Sequence, residues 1–289
     1  MAVKLQTIKD IRNYISGELT GLYSERESAA ISGVIISKVF GMNRVSSLLK
    51  ENELLAGRQK TEMVMRYCRK LQTGEPVQYV IGETLFYDCT LKVNPGVLIP
   101  RPETEELVDL ILKENRGFTG SIIDIGTGSG CIAVALAVNL PFAKVTGIDK
   151  SRRAIKTATR NAELNNSHIS FLEADIFKID PSLIQKTDLM VSNPPYVRNS
   201  EKKFMHRNVL GFEPHRALFV PDSDPLKFYM AILNLADHVL NPRGTLWLEI
   251  NEAMGKPVQV LLESYQYNGI KIIKDFNGKD RFAKGKRDD

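Results

Sequence analysis

Residues 121–130 read Ser121-Ile122-Ile123-Asp124-Ile125-Gly126-Thr127-Gly128-Ser129-Gly130, and an apolar run, Cys131–Val138, follows. An apolar strand, a glycine turn and an apolar helix in immediate succession form the opening of a βαβ unit. Glycines at alternate positions let the backbone turn tightly and approach a ligand with no Cβ in the way. The helix start behind them offers free N–H groups. The next strand candidate, Lys144–Asp149, ends in a carboxylate nineteen residues after Gly130, where an acid can hold a ribose diol. Asp124, Gly126, Thr127, Gly128, Ser129, Gly130 and Asp149 are therefore the expected nucleoside site.

The pattern repeats outward. Ile169–Glu173, Leu189–Ser192, Thr245–Ile250 and Ile270–Asp275 read as further strands. Cys131–Asn139, Ser151–Asn165, Leu226–Leu240 and Lys256–Tyr265 read as helices between them. Strands alternating with helices predict an α/β architecture with a mostly parallel sheet. The lysine-rich tail after Arg281 reads as frayed. Upstream, Ile8, Ile11, Ile15 and Leu19 recur at helical spacing, and Ser24 with Glu27 forms a capping box. The apolar face Ile31, Val34, Ile35, Val39 closes on Gly41, and Met63, Val64, Tyr67 and Leu71 mark another helix. Gln78–Gly82, Leu85–Tyr87 and Leu91–Val93 read as short strands. The expected organisation is a helical domain over 1–75, a β-hairpin linker over 76–100 and a nucleoside-binding catalytic domain over 101–289.

A second stretch, Asp188-Leu189-Met190-Val191-Ser192-Asn193-Pro194-Pro195-Tyr196, places Asn-Pro-Pro-Tyr at a strand end, where a doubly wound sheet opens its ligand crevice. Each proline forces the residue before it into an extended conformation, so the tetrapeptide is stiff. The Asn193 side-chain oxygen and the Pro194 carbonyl are two fixed acceptors for the two N–H bonds of an amide or amino group. Pro195 stiffens the turn and Tyr196 offers a flat wall for a planar group. The plain alternative is a proline-rich turn with no chemical role.

The G-x-G-x-G spacing with an acid two residues ahead resembles the class I S-adenosylmethionine (AdoMet) methyltransferases, whose fold is Rossmann-like with a mostly parallel sheet. The resemblance implies that the glycine loop wraps the amino-acid end of AdoMet and that Asp149 takes the ribose. After the third strand, in Glu173-Ala174-Asp175-Ile176-Phe177, it implies that the Asp175 side chain and Ile176 backbone meet the adenine, with Phe177 against its face. A turn cap and a core aromatic are the competing readings of Asp175 and Phe177. Asn-Pro-Pro-Tyr resembles methyltransferases acting on nitrogen of a planar group, either adenine or a glutamine side chain. Pro76–Gly82, Phe86-Tyr87, Leu98–Glu105, Glu213-Pro214 with Ala217-Leu218, Leu240–Gly244 before Glu249-Ile250, and Asp275 through Arg281 resemble the protein-glutamine N5-methyltransferases that modify peptide chain release factors (the HemK/PrmC group). That resemblance implies N5-methylation of the glutamine in a Gly-Gly-Gln tripeptide, with Asn193, Pro194 and Tyr196 as the catalytic set and Asn193–Tyr196 as the substrate contacts. The helical N-terminal domain, which matches by architecture alone, is expected to grip a remote part of the release factor. Two stretches depart from the family pattern, Phe219–Asp224 and Asn251–Met254, which leaves loop geometry near the substrate groove open. Arg101, Glu103 and Glu105 are expected to shape the domain junction or a lid over AdoMet, or simply to begin a solvated helix.

The rest of the chain narrows the field. A net charge of +5, from 39 Lys+Arg against 34 Asp+Glu, and 43% hydrophobic residues fit an ordinary globular chain. Twelve Lys/Arg against eight Asp/Glu in the first 75 residues form no dense basic stripe, so stable nucleic-acid binding is not expected. No apolar run nears the ~20 residues of a membrane helix, and MAVKLQTIKD lacks the apolar core of a secretory signal. Three dispersed cysteines imply reduced thiols, and four scattered histidines show no metal-ligand spacing, so no metal is expected. The expectation is a cytoplasmic monomer acting on a release factor. A glutamine methyltransferase of a ribosomal protein, an adenine-N6 nucleic-acid methyltransferase and a non-catalytic nucleoside binder are the alternatives.

Overall fold

The helical elements begin where the side chains supply caps. In the computed structural model, which describes residues 5–54 and 57–288, Thr7 and Asp10 form a capping box ahead of α1 (Ile8–Leu19), and Ser24 and Glu27 form another ahead of α2 (Glu25–Phe40). Residues 1–4, the first part of the stretch read above for a secretory signal, lie outside the described residues. α2 stops at Gly41, held at a φ of 69°. α3 (Arg44–Leu49) and α4 (Arg58–Gln72) follow. Ile8, Ile11, Ile15 and Leu19 of α1 are fully buried against Ile35, Ile36, Val64 and Leu71. Val34, expected in the same face of α2, is exposed; the buried arc runs through Ser28, Ile31, Ile35 and Val39, and Val34 lies outside it.

Val77–Ile81 corrects the expectation of a strand: it is one more helix, α5. Pro76 stands at its N-cap with the φ of −56° that a helix start needs, and Gly82, at φ 79°, donates its N–H to the Gln78 carbonyl and ends it. Apolar content over five residues does not distinguish the two states, and the flanking proline and glycine decide. The helical unit runs to Gly82 and takes in His206–Phe212 from later in the chain.

The second unit starts at Glu83 with a hairpin, β1 (Glu83–Phe86) and β2 (Cys89–Lys92). Then come α6 (Pro102–Glu114), β3 (Ser121–Ile125), α7 (Cys131–Asn139), β4 (Lys144–Asp149), α8 (Arg152–Leu164), β5 (Ile169–Glu173), β6 (Thr187–Ser192) and the two-residue β7 (Val197–Arg198). The hairpin is tied to α8 by asparagines that imitate a neighbouring strand: Asn161 accepts from Lys92 N at 2.7 Å and donates to Lys92 O at 3.0 Å, and Asn165 exchanges the same pair of bonds with Thr90. After α9 (Arg207–Phe212), which belongs to the helical unit, the chain forms β8 (Phe219–Val220), α10 (Lys227–Val239), β9 (Leu240–Glu249), α11 (Gly255–Ser264), β10 (Tyr267–Lys274) and β11 (Asp280–Arg287).

Seven strands form one sheet in the order β10-β11-β9-β6-β3-β4-β5. The pairs β9–β6, β6–β3, β3–β4 and β4–β5 are parallel, and β11 is antiparallel to both its neighbours. α6 and α7 cover one face through a core that includes Leu107, Ile132, Leu136, Val191 and Trp247, and α10 and α11 cover the other around Tyr229, Ile232, Leu248 and Val258. β11 overturns the reading of a frayed tail. Phe282, Ala283 and Gly285 are buried, while the Lys284 ammonium lies over the Trp247 ring, 5.0 Å from the centroid, and pairs with Glu114. Among so many charges its apolar content is too small to stand out by pattern. It is a strand because two neighbours satisfy its backbone on both sides.

Candidate active site

Parallel register lines up the strand ends. Ser192 pairs with Ile125 and with Leu248, and Ile125 pairs with Ile148. The residue after each therefore falls in one row along the carboxyl edge of the sheet: Asp149, Gly126, Asn193 and Glu249. β3 sends its connection one way and β6 the other, so this row straddles the switch point where open α/β sheets bind ligands. A cavity of about 430 Å³ opens there, lined among others by Gly126, Gly128, Asp149, Asp175, Phe177 and Asn193.

The glycine loop is built from β3 outward. Gly126 and Thr127 both donate to the Ile148 carbonyl, at 2.8 and 3.0 Å. Gly128, at φ 57°, faces the cavity, and a Cβ there would meet nothing nearer than the Gly126 carbonyl oxygen at 3.7 Å. Gly130 has a different reason to be glycine: at φ 80°, its Cβ would sit 2.9 Å from that of Ala158 in α8. Asp124, 1% exposed, accepts from the Thr127 hydroxyl at 2.6 Å, and burial pushes its carboxyl up to about 7 against that bond. Ser129 is buried, with its carbonyl held by Asn161 at 2.8 Å. Of this loop, Gly126 and Gly128 line the cavity, whereas Thr127, Ser129 and Gly130 shape it from behind.

The Asp149 carboxylate closes the loop. One oxygen accepts from Gly128 N at 3.0 Å and the other from Ser151 N at 2.8 Å. Burial raises its pKa, opposed by those two bonds. Each oxygen keeps a lone pair for a ligand hydroxyl. Asp175 accepts from Phe177 N at 3.1 Å and pairs with Lys150 at 3.2 Å. Its burial raises the pKa, but these partners outweigh it and hold the carboxyl below its ordinary range. Thus Asp175 is a turn cap and also lines the cavity, with Ile176 beside it. Phe177 is not a core aromatic. It is 47% exposed, 5.1 Å from the Phe228 ring, and the Lys227 ammonium lies over both rings. An open glycine cradle, a carboxylate with spare lone pairs and an exposed aromatic wall suit a nucleoside, and so fit the AdoMet that the sequence resemblance implies.

At the end of β6, Asn193, Pro194 and Pro195 line the same cavity. Tyr196 does not: its ring packs with the core beneath α10, and its hydroxyl donates to Glu249 Oε1 at 2.9 Å. Burial, reinforced by the Glu249 charge, raises its pKa well above the ordinary value. Asn193 Nδ2 donates to Thr104 Oγ1 at 3.0 Å, and the Thr104 hydroxyl donates to Glu249 Oε2 at 2.7 Å. Burial pushes Glu249 up to about 7, opposed by the bonds from Thr104 and Tyr196 and by the Arg281 charge. Reading the sequence singled out neither Thr104 nor Glu249 for a role. The signal for Glu249 was an acid closing an apolar strand, the same one that marked Asp149. Arg101 is settled as a brace: it pairs with Glu213 at 2.6 Å, whose other oxygen accepts from Ile99 N at 3.2 Å. Glu105 accepts from Tyr87 N at 2.9 Å and so ties α6 to the hairpin.

The two departing loops are ordered. Phe219–Val220 is β8, parallel to β7, and Asp222 accepts from Ser200 N at 3.1 Å. Asn251 donates to the Tyr196 carbonyl at 3.3 Å and to Glu201 at 3.1 Å, bracing the far end of Asn-Pro-Pro-Tyr.

Comparison with known proteins agrees with this geometry. Residues 103–211 match the family model of the methyltransferase small domain. A solved methyltransferase from Pyrococcus furiosus, 21% identical, matches with a TM-score of 0.50 over 69% of this chain and 89% of its own, a likeness of fold. The release factor glutamine methyltransferase of Flavobacterium psychrophilum is 44% identical, covering 96% of this chain and 98% of that one. Its counterpart in Bacteroides thetaiotaomicron is 42% identical, covering 96% and 99%. With identity at this level along nearly the whole chain, and a class I methyltransferase sheet carrying both motifs on one edge, the protein belongs to the release factor glutamine methyltransferase family.

Proposed function

We propose that this protein methylates the side-chain nitrogen of the glutamine in the Gly-Gly-Gln tripeptide of peptide chain release factors, with AdoMet as methyl donor. The observation that carries the reading is the placement of Asn193 and Pro194 in the cavity that Gly126, Gly128 and Asp149 also line. Bound there, AdoMet supplies a methyl group on a positively charged sulfur. Gly126 and Gly128 give its amino-acid end a backbone cradle, Asp149 accepts from its ribose, and Asp175, Ile176 and Phe177 face its base.

An amide nitrogen is a weak nucleophile because its lone pair is delocalised into the carbonyl, so its orientation matters more than the strength with which it is held. Asn193 Oδ1 and the Pro194 carbonyl accept the two N–H bonds and turn the lone pair toward the donor. Each such bond is worth only about 1 kcal/mol net. Orientation can supply ~7–11 kcal/mol of a barrier. Tyr196, held by Glu249 behind the cavity wall, keeps the turn in place; direct stacking on the substrate is the weaker reading of its position.

The relatives are named for release factors, and that name is the basis for choosing this partner here. The helical unit is assigned to docking the rest of the factor, so a short Gly-Gly-Gln peptide should show a much higher KM than the intact protein at similar kcat. The reading includes a cytoplasmic monomer with no stable nucleic-acid contact. Among the described residues no helix is long and apolar enough to cross a membrane. The test is peptide mass spectrometry on a release factor incubated with the protein and AdoMet. One added methyl on the Gly-Gly-Gln glutamine is expected. None, on a sample shown by calorimetry to bind AdoMet, would refute the substrate and turn the search to ribosomal proteins.

A further inference from the structure

We infer that Glu249 and Thr104 are positioning residues that fix which end of the Asn193 side-chain amide faces the substrate. The inference rests on the proposed methylation of a glutamine nitrogen, and it concerns two residues that lie outside the cavity lining.

An asparagine amide has an acceptor end and a donor end of nearly the same shape. Only the acceptor end can take an N–H from a substrate amide, so a flipped Asn193 would confront one NH₂ with another. Something must hold the amide one way round. Glu249 sits behind the cavity wall with 1% of its surface exposed. Its carboxyl, pushed up to about 7, can only accept once the pH has passed that value and it is ionised. Two hydroxyls point at it, Thr104 at 2.7 Å and Tyr196 at 2.9 Å. A threonine hydroxyl has one hydrogen. Since Thr104 gives that hydrogen to Glu249, it has only lone pairs to offer Asn193, 3.0 Å away. The NH₂ end of Asn193 must therefore turn to Thr104, and Oδ1 is left for the cavity. With Glu249 ionised, this polarity follows from which of the three groups can donate.

Burial gives the chain its directionality. Thr104 is 1% exposed, so bulk solvent offers its hydroxyl no substitute partner. α6 supplies Thr104, β9 supplies Glu249 and β6 leads into Asn193, so three elements meet at one hydroxyl. The second oxygen of Glu249 holds Tyr196, which fixes the other end of the tetrapeptide. One carboxylate thus sets both the facing of the acceptor and the seat of the turn that carries it.

The test uses the full-length protein with three substitutions. Thr104→Val keeps the shape and removes the hydroxyl, Thr104→Ser restores it, and Glu249→Gln replaces an acceptor-only group with one that also donates. Thr104→Val is expected to lower kcat by about 30–100-fold, the size of a misplacement near 1 Å, with calorimetric AdoMet affinity unchanged. Thr104→Ser is expected to recover kcat to within about threefold of wild type, since it keeps a hydrogen bond of this kind. Glu249→Gln should fall between them. A Thr104→Val enzyme at the wild-type rate would overturn the inference, and so would a Thr104→Ser enzyme as slow as the valine variant. If wild type methylates no glutamine, the proposed function fails, and a measurement without turnover decides the inference. The Asn193 side-chain NH₂ signals in a ¹⁵N spectrum, identified by their loss in Asn193→Ala, should shift and exchange faster in Thr104→Val. Unchanged signals would overturn it.

Discussion

Two loops stand side by side on the carboxyl edge of the sheet, and each rests on a buried carboxyl pushed up to about 7. Beneath the glycine loop, Asp124 accepts from Thr127, three residues away, and the loop's remaining bonds come mostly from the adjacent strand β4. Beneath Asn-Pro-Pro-Tyr, Glu249 accepts from Thr104 and Tyr196, 145 and 53 positions distant. The first loop is self-contained and works through bare backbone. The second presents one oriented side chain and borrows that orientation from elements brought together only by folding. Binding a nucleoside tolerates small errors, because many weak contacts share the load. Orienting an amide for attack does not, and so the second loop is the one with a buried network behind it.

If that division holds, damage to the second loop should fall on rate and damage to the first on affinity. Asn193→Ala should give the largest effect, with kcat reduced about 100-fold or more and AdoMet affinity nearly unchanged. Single-turnover kinetics beside calorimetry separates the two; a loss shared equally between them would collapse the distinction. Asp149→Ala is the mirror case. On the proposed reading it removes a charged acceptor of ribose hydroxyls; it also unties Gly128, and each charge-assisted bond is worth ~1.5–3 kcal/mol. AdoMet affinity should fall about 10–100-fold, with kcat at saturation changed far less. Unchanged calorimetric affinity would remove Asp149 from the ribose.

The same contrast explains what could be read in the residues alone. Asp124, the glycines and Asp149 form a contiguous signal of strand, turn, helix and strand, because the site is built from neighbours in sequence. Asn193–Tyr196 is legible for the same reason. Glu249 and Thr104 carry no local mark of their connection, since α6 and β9 become neighbours of β6 only through the sheet order. Val77–Ile81 is ambiguous because four apolar residues in a run of five satisfy either period, and the proline and glycine around it hold the answer. β11 stayed hidden because Lys284, Lys286 and Arg287 dilute its apolar pattern, and its pairing depends on β9 and β10 being in place. Helices with their own caps, such as α1 and α2, were set by the chain itself.

A pH measurement sharpens the comparison at the level of stability. Asp124 has a folded-state pKa raised to about 7 from 3.8, so between those values the folded chain binds more protons than the unfolded one. Stability from this group is fully present below about 4 and is lost as the pH climbs through about 7. Asp124→Asn keeps an acceptor for Thr127 and abolishes the titration. The fall in Tm from pH 5 to pH 8 should be smaller in the variant, by ~2–4 °C for each kcal/mol recovered in a chain of this size. Glu249 titrates in the same range and remains in the variant, so the slope shrinks without vanishing. Equal slopes would mean that Asp124 keeps its charge when folded, with its burial offset by partners beyond Thr127.

The smallest effect belongs to the wall of the first loop that is least built. Phe177 is half exposed and held by the Phe228 ring and the Lys227 ammonium, with no buried polar partner. Against an adenine face such a ring contributes about 0.5–1.5 kcal/mol beyond its area. Phe177→Ala should therefore weaken AdoMet binding by about 3–10-fold, and Phe177→Tyr should leave it intact, because the face is retained. Since Asn193 is fixed from behind through Thr104 and not from this wall, kcat at saturating AdoMet should not move in either variant. A kcat loss in Phe177→Ala that saturation does not cure would show that the two loops share one framework, and the separation between holding the donor and aiming the acceptor would have to be given up.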